Sequence, residues 1–367
     1  MEITAAVATE IGGAFTLQTV TLDDPAPDEI LVEIAGVGLC HTDLAARDGH
    51  LPFPLPGVFG HEGSGVVAAV GSAVTKVAVG DKVVLSFNSC GRCTECRRNE
   101  PAYCHEFMAY NFGGARQDST STLHHNGQSL GSEFFGQSSF ATYAIAHERN
   151  VVKVGNDAPL ALLGPLGCGV QTGAGAVLNS LDCAPGSTLL VLGGGSVGLS
   201  AVLAGVVREL ARIIVVEPHA GRRDLALSLG ATHVIDPAAG PLPDQVRAIV
   251  PGGVDYAIDT TGIADVLQQA MLTVAHRATV GIIGVPADPE AALALNLIQA
   301  QVLGVRVIGI VEGDSDPDVF IPQLLELHRT GRFPFDKLVT TMPFSHINEA
   351  VAAQHRGEAV KIVLVHE

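Results

Sequence analysis

Positively charged side chains are scarce in this chain. Lys and Arg together number 21 against 38 Asp and Glu, which gives a formal net charge of −17. A field of this sign repels phosphate polymers and anionic lipid surfaces at long range. We therefore expect neither nucleic acid nor a membrane among the partners of this protein.

Charge of either sign is limited, and a targeting signal is not visible. Charged residues make up 16% of the 367 residues and hydrophobic residues 47%, with 42 glycines. This composition is typical of a compact α/β protein, and the length suits two domains at roughly 100 to 200 residues each. The start, MEITAAVATEIGG, lacks the basic and apolar parts of a secretory signal. We expect a cytoplasmic protein whose thiols stay reduced.

Cysteine is too rare for a disulfide scaffold, with seven in the whole chain. Four of the seven form one short run: Cys90, Cys93, Cys96 and Cys104. That spacing lets four thiolates converge on one tetrahedral ion, which predicts a closed structural zinc site. The alternatives are thiols that bind nothing and an iron–sulfur cluster. A ferredoxin places its fourth cysteine after three residues, whereas seven residues separate Cys96 from Cys104.

One run, 186–207, carries no charge and is long enough to span a bilayer. It is broken by glycines at 193–195, between a β-like apolar run and a helical apolar pattern at 196–210. The β-like runs of this part of the chain are 188–192, 213–217, 233–236, 254–259, 279–284 and 305–311. The helix-length segments between them include 222–229, 242–250 and 264–275. This alternation predicts a doubly wound parallel sheet rather than a membrane span.

The glycine turn at 193–198 reads GGGSVG and fits the pattern GxGxxG. Such glycines permit a tight turn and let a pyrophosphate approach the helix N-terminus, although a plain turn in an α/β core is the alternative. Glu217 ends the next strand, where a carboxylate holds ribose hydroxyls and opposes the 2′-phosphate of NADP. NAD is therefore predicted, and Arg222 and Arg223 keep NADP open as an alternative.

Three more potential metal ligands are scattered along the chain. They are Cys40 in CHTD, His61 in GHEG and Cys168 in LGCG. Each has a plain structural alternative, because a lone buried cysteine usually acts as a small hydrophobe and a lone histidine usually supports the fold.

These segments together resemble the zinc-dependent medium-chain alcohol dehydrogenases over essentially the full chain. The matching segments are GHEGSGVV at 60–67, CGRCTECRRNEPAYC at 90–104, LGCGVQTGAGAV at 166–177 and the GGGSVG turn. The resemblance implies a mainly β GroES-like catalytic domain at 1–169, with a structural zinc lobe at about 88–106. A Rossmann NAD-binding domain would follow at 170–310, and 311–367 would return to the catalytic domain. The expected fold class is therefore α/β, a doubly wound parallel sheet plus the β domain.

The resemblance also implies NAD and two zinc ions per subunit. Cys40, His61 and Cys168 would hold the catalytic zinc. Glu62 would lie beside the metal as an occasional ligand, and Asp43 would orient His61. Two thiolates and one imidazole leave a fourth zinc position open, where a bound alcohol is acidified and can pass hydride to the nicotinamide.

Cofactor contacts carried over from the family fall on Gly193, Gly195, Val197, Gly198, Glu217, Arg222, Thr172, Val285 and Lys361. Thr172 and Val197 would lie near the nicotinamide, and Arg222 near the adenosine ribose. Lys361 would reach the pyrophosphate and tie the two domains across bound NAD. The plain alternatives are a solvated charge for Lys361 and a buried strand end around Val285.

The substrate prediction depends on a subgroup. The segment FFGQSSFATY at 134–143, with the stretch 107–133 before it, resembles the aryl-alcohol (benzyl alcohol) dehydrogenases. This implies a primary aromatic or allylic alcohol and its aldehyde, with Leu51 and Phe87 lining the pocket. The alternatives are aliphatic, terpenoid or secondary alcohols, and a noncatalytic NAD(H)-binding protein. The family also suggests a homodimer or homotetramer.

Thr42 would accept the proton of the alcohol, but the far end of the proton relay is unusual here. The position five residues after Cys40, a histidine in the best-known animal enzymes of the family, is Ala45. Our hypothesis is that His41 serves as the base, and a neighbour of the cofactor pyrophosphate is the alternative role for this side chain.

A His41→Gln variant tests this hypothesis. We expect its pH–rate profile to lose the limb that the histidine generates, because the amide cannot accept a proton. The measurement is kcat against pH with a saturating alcohol. A profile close to that of the wild type would contradict the base role.

Overall fold

The computed structural model of the chain describes residues 1–155 and 158–366. It divides into two compact units. The first consists of Met1–Cys168, Asp316–Leu325 and Val339–Glu367, and the second of Gly169–Ser315 and Glu326–Leu338. Residues 326–338 thus group with the second unit, within the stretch predicted to return to the first.

The secondary structure alternates between short strands and helices, and all bounds below belong to the described residues. The strands are β1 (Glu2–Ala8), β2 (Thr16–Leu22), β3 (Glu29–Leu39), β4 (Gly57–Val58), β5 (Gly63–Val70), β6 (Lys82–Leu85), β7 (Leu123–His125), β8 (Gln128–Ser129), β9 (Tyr143–His147), β10 (Val151–Lys153), β11 (Thr188–Leu192), β12 (Arg212–Val216), β13 (His233–Ile235), β14 (Val254–Asp259), β15 (Val274–Ile282), β16 (Arg306–Gly309), β17 (Val339–Pro343) and β18 (Lys361–Val365). The helices are α1 (His41–Arg47), α2 (Thr94–Arg97), α3 (Phe107–Phe112), α4 (Gly169–Gly175), α5 (Ser196–Val207), α6 (Ala220–Ser228), α7 (Leu242–Ile249), α8 (Ala264–Ala270), α9 (Leu297–Leu303), α10 (Pro317–Arg329) and α11 (Ile347–His355).

The first unit is built on two sheets. One has the strand order β4-β1-β2-β7-β8, and the other β10-β6-β5-β3-β18-β17, with β9 also paired to β3. Strand β3 pairs antiparallel with β5, β9 and β18. Val37 lies opposite Gly63, and Leu39 lies opposite Ile362. The end of β3 is therefore adjacent to the first residues of both β5 and β18.

The second unit is a parallel sheet with the order β13-β12-β11-β14-β15-β16. All five residues of β11 are buried, as expected for a strand covered by helices on both faces. The strand order reverses between β11 and β14, and ligands of such sheets bind outside the carboxyl ends of the strands at this point. The predicted fold class, a doubly wound sheet plus a mainly β unit, is confirmed.

Several predicted elements have different bounds in the structure, most clearly one helix and the strand that follows it, whereas the predicted division of the uncharged run agrees with it. The helix predicted at 264–275 ends at Ala270, because Val274 already begins β15 and pairs with Val254. Hydrophobic periodicity alone does not show that residues near 274 pair with a neighbouring strand instead of continuing the helix. The uncharged run 186–207 divides into β11, a turn and α5. Within the described part of the chain, no helix has both the length and the apolar character needed to cross a membrane.

Candidate active site

Four potential metal ligands converge where β3 ends. One ligand atom each from Cys40, His61, Glu62 and Cys168 lies within 4.8 Å of the others, and we refer to these residues as the thiol–imidazole cluster. Cys40 directly follows β3, and His61 and Glu62 directly precede β5. The antiparallel pairing of these two strands therefore brings together residues that are about 20 positions apart. The structure places the three predicted ligands and Glu62 in one site, and their binding of zinc stays a prediction.

Cys168 reaches the cluster from a glycine-containing 3₁₀ turn, Gly164–Gly167. A Cβ atom on Gly164 would lie 1.9 Å from the carbonyl oxygen of Glu62, and one on Gly167 would lie 1.9 Å from that of Leu85. Ser86 also donates a hydrogen bond to the carbonyl oxygen of Gly167 at 2.7 Å. Only glycine permits so close an approach, so these two glycines position the thiol.

The imidazole of His61 is held in one orientation. Its Nδ1 lies 2.8 Å from Asp43 Oδ1, which also accepts a hydrogen bond from the backbone N–H of Gly60. The ring of Phe135 stacks on the imidazole at a centroid distance of 4.4 Å. In the neutral imidazole with its proton on Nδ1, beside Asp43, Nε2 presents its lone pair. This Nε2 is buried and has no hydrogen-bond partner among the described residues, which fits a nitrogen reserved for a metal.

The electrostatics of the cluster favour a metal-binding state. A hydrogen bond with the Cys168 thiol lowers the pKa of Cys40 well below its usual range, against the effect of burial and with help from the Lys361 ammonium. A thiolate is the form of cysteine that binds metal ions. Burial raises the pKa of Glu62, and the ammonium of Lys361 opposes this shift. The cluster thus combines an available thiolate with a carboxylate that has its own counter-ion.

Lys361 lies beside the thiol–imidazole cluster. Its Nζ donates hydrogen bonds to both carboxylate oxygens of Glu62, at 2.8 and 2.9 Å, and to the carbonyl oxygen of Leu39 at 3.2 Å. The side chain is only 3% exposed, and these three acceptors match its three N–H donors. Lys361 thus neutralises Glu62 and is not a solvated charge, and its contact with the cofactor pyrophosphate stays a prediction. Sequence reasoning missed this pair because 299 positions separate its members.

The predicted relay and pocket residues lie in four different settings. Thr42 Oγ1 is 3.7 Å from Cys40 Sγ, which places the hydroxyl beside the cluster. His41 is exposed at the first position of α1. Leu51 is half-buried against the hydrophobic core, and Phe87 is buried within it. Their catalytic or substrate roles stay predictions.

Phe87 is connected to the cluster through other phenylalanines. Its ring centroid is 5.9 Å from that of Phe107, which is 6.3 Å from that of Phe135. Phe135 in turn stacks on His61. Phe107 and Phe135 are therefore site neighbours that sequence reasoning did not single out. Their only sequence signal was the subgroup resemblance of the segments that contain them.

The four-cysteine run also forms a compact cluster. The sulfur atoms of Cys90, Cys93, Cys96 and Cys104 lie within 4.8 Å of one another. Backbone N–H groups donate to these sulfur atoms, for example Cys90 N–H to Cys104 Sγ at 3.2 Å and Cys93 N–H to Cys90 Sγ at 3.3 Å. Hydrogen bonds from the backbone lower the pKa of Cys93 to about 6, whereas burial raises that of Cys104 to about 12. Four sulfur atoms this close together, which accept hydrogen bonds from backbone N–H groups, fit the tetrahedral coordination of a structural zinc ion.

The glycine turn of the second unit has the geometry of a dinucleotide loop. Gly193 has a φ of +100°, and a Cβ atom on Gly198 would lie 1.9 Å from the carbonyl oxygen of Gly193. A Cβ atom on Gly195 would meet nothing within 4 Å, so that face of the loop is open beside the N-terminus of α5. Val197 lies in the first turn of α5. These features fit a pyrophosphate.

Glu217 follows β12 beside this loop. Its two carboxylate oxygens accept hydrogen bonds from the backbone N–H groups of Gly194, at 2.7 Å, and His219, at 2.9 Å. Arg223 donates to the carbonyl oxygens of Glu217 and Pro218. The structure therefore fixes a buried carboxylate at the end of β12, with Arg223 engaged by the backbone.

The other predicted cofactor residues of the second unit are distributed around the sheet. Thr172 lies on α4 and is buried, Arg222 is half-buried in the first turn of α6, and Val285 is 43% exposed just after β15. Their contacts with the cofactor stay predictions.

Comparison with known proteins identifies the family. The family profile described as alcohol dehydrogenase GroES-like domain matches residues 26–156, and the one described as zinc-binding dehydrogenase matches residues 196–327. A geraniol dehydrogenase of Castellaniella defragrans is 50% identical over 98% of this chain and 97% of its own length. This chain belongs to the zinc-dependent medium-chain alcohol dehydrogenases.

Solved structures of other alcohol dehydrogenases have the same fold. The benzyl alcohol dehydrogenase of Acinetobacter calcoaceticus is 41% identical with a TM-score of 0.97, and all of both chains is covered. An alcohol dehydrogenase zinc-binding domain protein of Burkholderia ambifaria is 46% identical, also with a TM-score of 0.97, over 100% of this chain and 99% of the other. As a member of this family, the alcohol dehydrogenase described here uses zinc and a nicotinamide dinucleotide on small alcohols.

The two thiol clusters predict distinct effects of cysteine substitution. Cys168→Ser should lose one of two zinc ions per chain, because it removes a thiolate ligand. Cys104→Ser should lose the other ion and lower the melting temperature by roughly 5 °C or more, because a structural metal contributes to folding. Metal analysis and thermal unfolding of the purified variants measure both effects.

Cys183→Ser is the matched control, because Cys183 is a buried free cysteine outside both clusters. It should retain both zinc ions. Equal metal content in Cys168→Ser and Cys183→Ser would refute the assignment of the thiol–imidazole cluster.

Proposed function

We propose that this alcohol dehydrogenase catalyses the reversible oxidation of primary aromatic or allylic alcohols to aldehydes, with NAD as the hydride acceptor. The observation that carries the proposal is the thiol–imidazole cluster, with the buried and unpartnered Nε2 of His61 beside two thiols. Two thiols and one imidazole make a three-ligand site that leaves a fourth position open to substrate.

The side chains have separable tasks in this proposal. Cys40, His61 and Cys168 hold the zinc ion, which when bound lowers the pKa of an alcohol hydroxyl. Asp43 keeps the proton of His61 on Nδ1, through the 2.8 Å contact with that atom. Thr42, whose hydroxyl lies beside Cys40, would relay the proton of the alcohol by accepting it and releasing its own hydroxyl proton toward His41 or water. A bound nicotinamide would supply the hydride acceptor for the alcohol carbon.

The Glu62–Lys361 pair limits the negative charge at the cluster. Two thiolates and a free carboxylate would carry three negative charges against the two positive charges of zinc. With its carboxylate held by Lys361 at 2.8 and 2.9 Å, Glu62 leaves the fourth position to the substrate.

Phenylalanine side chains around His61 support an unsaturated substrate. Phe135 stacks on the imidazole, and Phe107 contacts Phe135 edge to face. If these rings line the substrate pocket, their flat apolar faces would favour a planar π system next to the reacting carbon. The names of two relatives, a geraniol dehydrogenase and a benzyl alcohol dehydrogenase, denote alcohols whose hydroxyl carbon adjoins a double bond or an aromatic ring. Such a π system stabilises the positive charge that develops on this carbon as hydride leaves.

NAD is favoured over NADP by charge. The Glu217 carboxylate ends β12 beside the glycine loop and would repel a 2′-phosphate. Arg223 is occupied by two backbone carbonyl oxygens and by an ion pair with Asp236 at 3.0 Å.

Three further predictions accompany this proposal. They are the boundaries of the dinucleotide-binding and catalytic domains, a homodimeric or homotetrameric assembly, and a cytoplasmic location.

Substrate ranking tests the proposed class. We expect benzyl, cinnamyl and geranyl alcohols to give kcat/KM values at least about tenfold above those of ethanol and 2-butanol, because only the former have a π system at the reacting carbon. The measurement is the initial rate of NADH formation by the zinc-loaded enzyme.

The Cys168→Ser variant provides the metal-dependent control for these rates. A preference for ethanol or 2-butanol would favour the aliphatic or secondary-alcohol alternative. Tight binding of NADH without turnover of any alcohol would favour a noncatalytic protein instead.

Cofactor choice is tested by Glu217→Gln, which removes the charge and keeps an acceptor for the backbone. We expect kcat/KM for NADP to rise about tenfold relative to that for NAD, because the repulsion of the 2′-phosphate is relieved. Asp224→Asn removes the same charge from an exposed position on α6 and should leave the ratio unchanged. An equal response of the two variants would show that general charge, not the Glu217 site, sets the preference.

A further inference from the structure

Three consecutive residues of the second unit have left-handed backbone conformations. They are Glu312, with a φ of +50°, Gly313, with +67°, and Asp314, with +50°. A residue other than glycine costs about 1 to 3 kcal/mol in such a conformation, and it persists only where its surroundings impose it. Conformations of this kind cluster at functional sites, so the contacts of this turn are informative.

The side chain of Glu312 is buried against α4. It is 8% exposed, and its Oε2 accepts hydrogen bonds from Gln171 Nε2, at 3.2 Å, and Thr172 Oγ1, at 3.3 Å. Ser315 Oγ connects the same groups, because it lies 2.5 Å from the carbonyl oxygen of Glu312 and 3.2 Å from Gln171 Oε1. Two donors on one oxygen match a carboxylate, which only accepts hydrogen bonds. The strained turn thus places a buried carboxylate on the hydroxyl of Thr172.

Small residues hold the turn directly on α4. A Cβ atom on Gly175 would lie 2.2 Å from the carbonyl oxygen of Gly313. Asn179 Nδ2 also donates a hydrogen bond to this oxygen at 3.2 Å. The backbone of the turn and the backbone of α4 therefore approach as closely as their atoms allow, and the position of Glu312 is determined by packing as well as by its own hydrogen bonds.

The same helix lies directly against the dinucleotide loop. A Cβ atom on Gly173 would be 1.9 Å from the carbonyl oxygen of Val197, in the first turn of α5. Thr172 is the residue before Gly173, and its hydroxyl donates a hydrogen bond to the Glu312 carboxylate. The buried Glu312 carboxylate therefore contacts α4, and α4 packs against the first turn of α5, which belongs to the cofactor loop.

We propose that Glu312 is a positioning residue that makes the cofactor site favour the oxidised over the reduced nicotinamide. This inference rests on the proposed NAD-dependent function, with Thr172 beside the nicotinamide ring as the sequence predicts. The nicotinamide ring carries a positive charge in NAD⁺ and becomes neutral when it accepts hydride. A fixed buried anion stabilises only the charged ring, and the low polarity of its surroundings preserves the effect. Glu312 would therefore tighten NAD⁺ binding without tightening NADH binding, and so favour alcohol oxidation followed by NADH release.

Binding measurements on the zinc-loaded enzyme test this inference without turnover. The Kd values of NAD⁺, NADH and ADP-ribose are compared between the wild type and Glu312→Gln, which keeps an acceptor for Thr172 and removes the charge. We expect the Kd of NAD⁺ to rise about tenfold, with the Kd values of NADH and of ADP-ribose, which has no nicotinamide, within about twofold of the wild type. An unchanged ratio of the NAD⁺ and NADH values would overturn the inference.

Two further variants separate charge from structure. Glu312→Asp keeps the charge on a shorter side chain and should retain the wild-type ratio, even if all three ligands bind more weakly. Asp314 is half-buried in the same turn, two residues after Glu312, and Asp314→Asn removes its charge. This variant should also retain the wild-type ratio of the NAD⁺ and NADH Kd values. Equal weakening of all three ligands in Glu312→Gln would mean that Glu312 only supports α4. A wild-type enzyme that binds neither NAD⁺ nor NADH would instead overturn the proposed function itself.

Discussion

The burial of several ionisable groups at one point is the constraint on which the first unit depends. His61, Glu62 and Lys361 are each at most 3% exposed, and an unpaired charge at such a position costs several kcal/mol. Each therefore needs a partner: Asp43 for His61 and Lys361 for Glu62. The partners come from α1 and from β18, so two elements far apart in the sequence are tied to the site. An ion at the thiols would complete this balance, because it would supply the positive charge that two thiolates lack.

Close approach of backbones is the second requirement, and glycine meets it. A Cβ atom on Gly38, within β3, would lie 1.9 Å from a carboxylate oxygen of Glu62, and one on Gly164 would lie 1.9 Å from the carbonyl oxygen of the same residue. Any larger residue at these positions would displace Glu62 from Lys361 and move the start of β5. The electrostatic pairing and the strand packing are therefore one arrangement, because neither can form without the other.

The second unit uses the same principle with a different chemistry. One buried carboxylate, that of Glu217, directly follows β12, and another, that of Glu312, contacts α4. Glu217 accepts a hydrogen bond from the glycine loop and Glu312 accepts from side chains of α4, so both carboxylates are held by the protein and would not move with a bound dinucleotide. Charge at one end of the cofactor would select the form of its ribose, and charge near the other would act on the oxidation state of its ring. Preorganised charges of this kind cost no rearrangement when the ligand binds.

The sequence by itself determined the features that depend on neighbouring residues. The turn at 193–198 and the run from Cys90 to Cys104 are short motifs whose spacing dictates local geometry, and the alternation of apolar runs indicated the parallel sheet. The tertiary structure alone decided which distant residues meet. Lys361 and Glu62 are 299 positions apart, and Gln171 and Glu312 are 141 apart. Local sequence restricts the backbone only over a few residues, whereas such pairs depend on strand order, register and the close packing of glycines, which become defined only when the whole chain has folded.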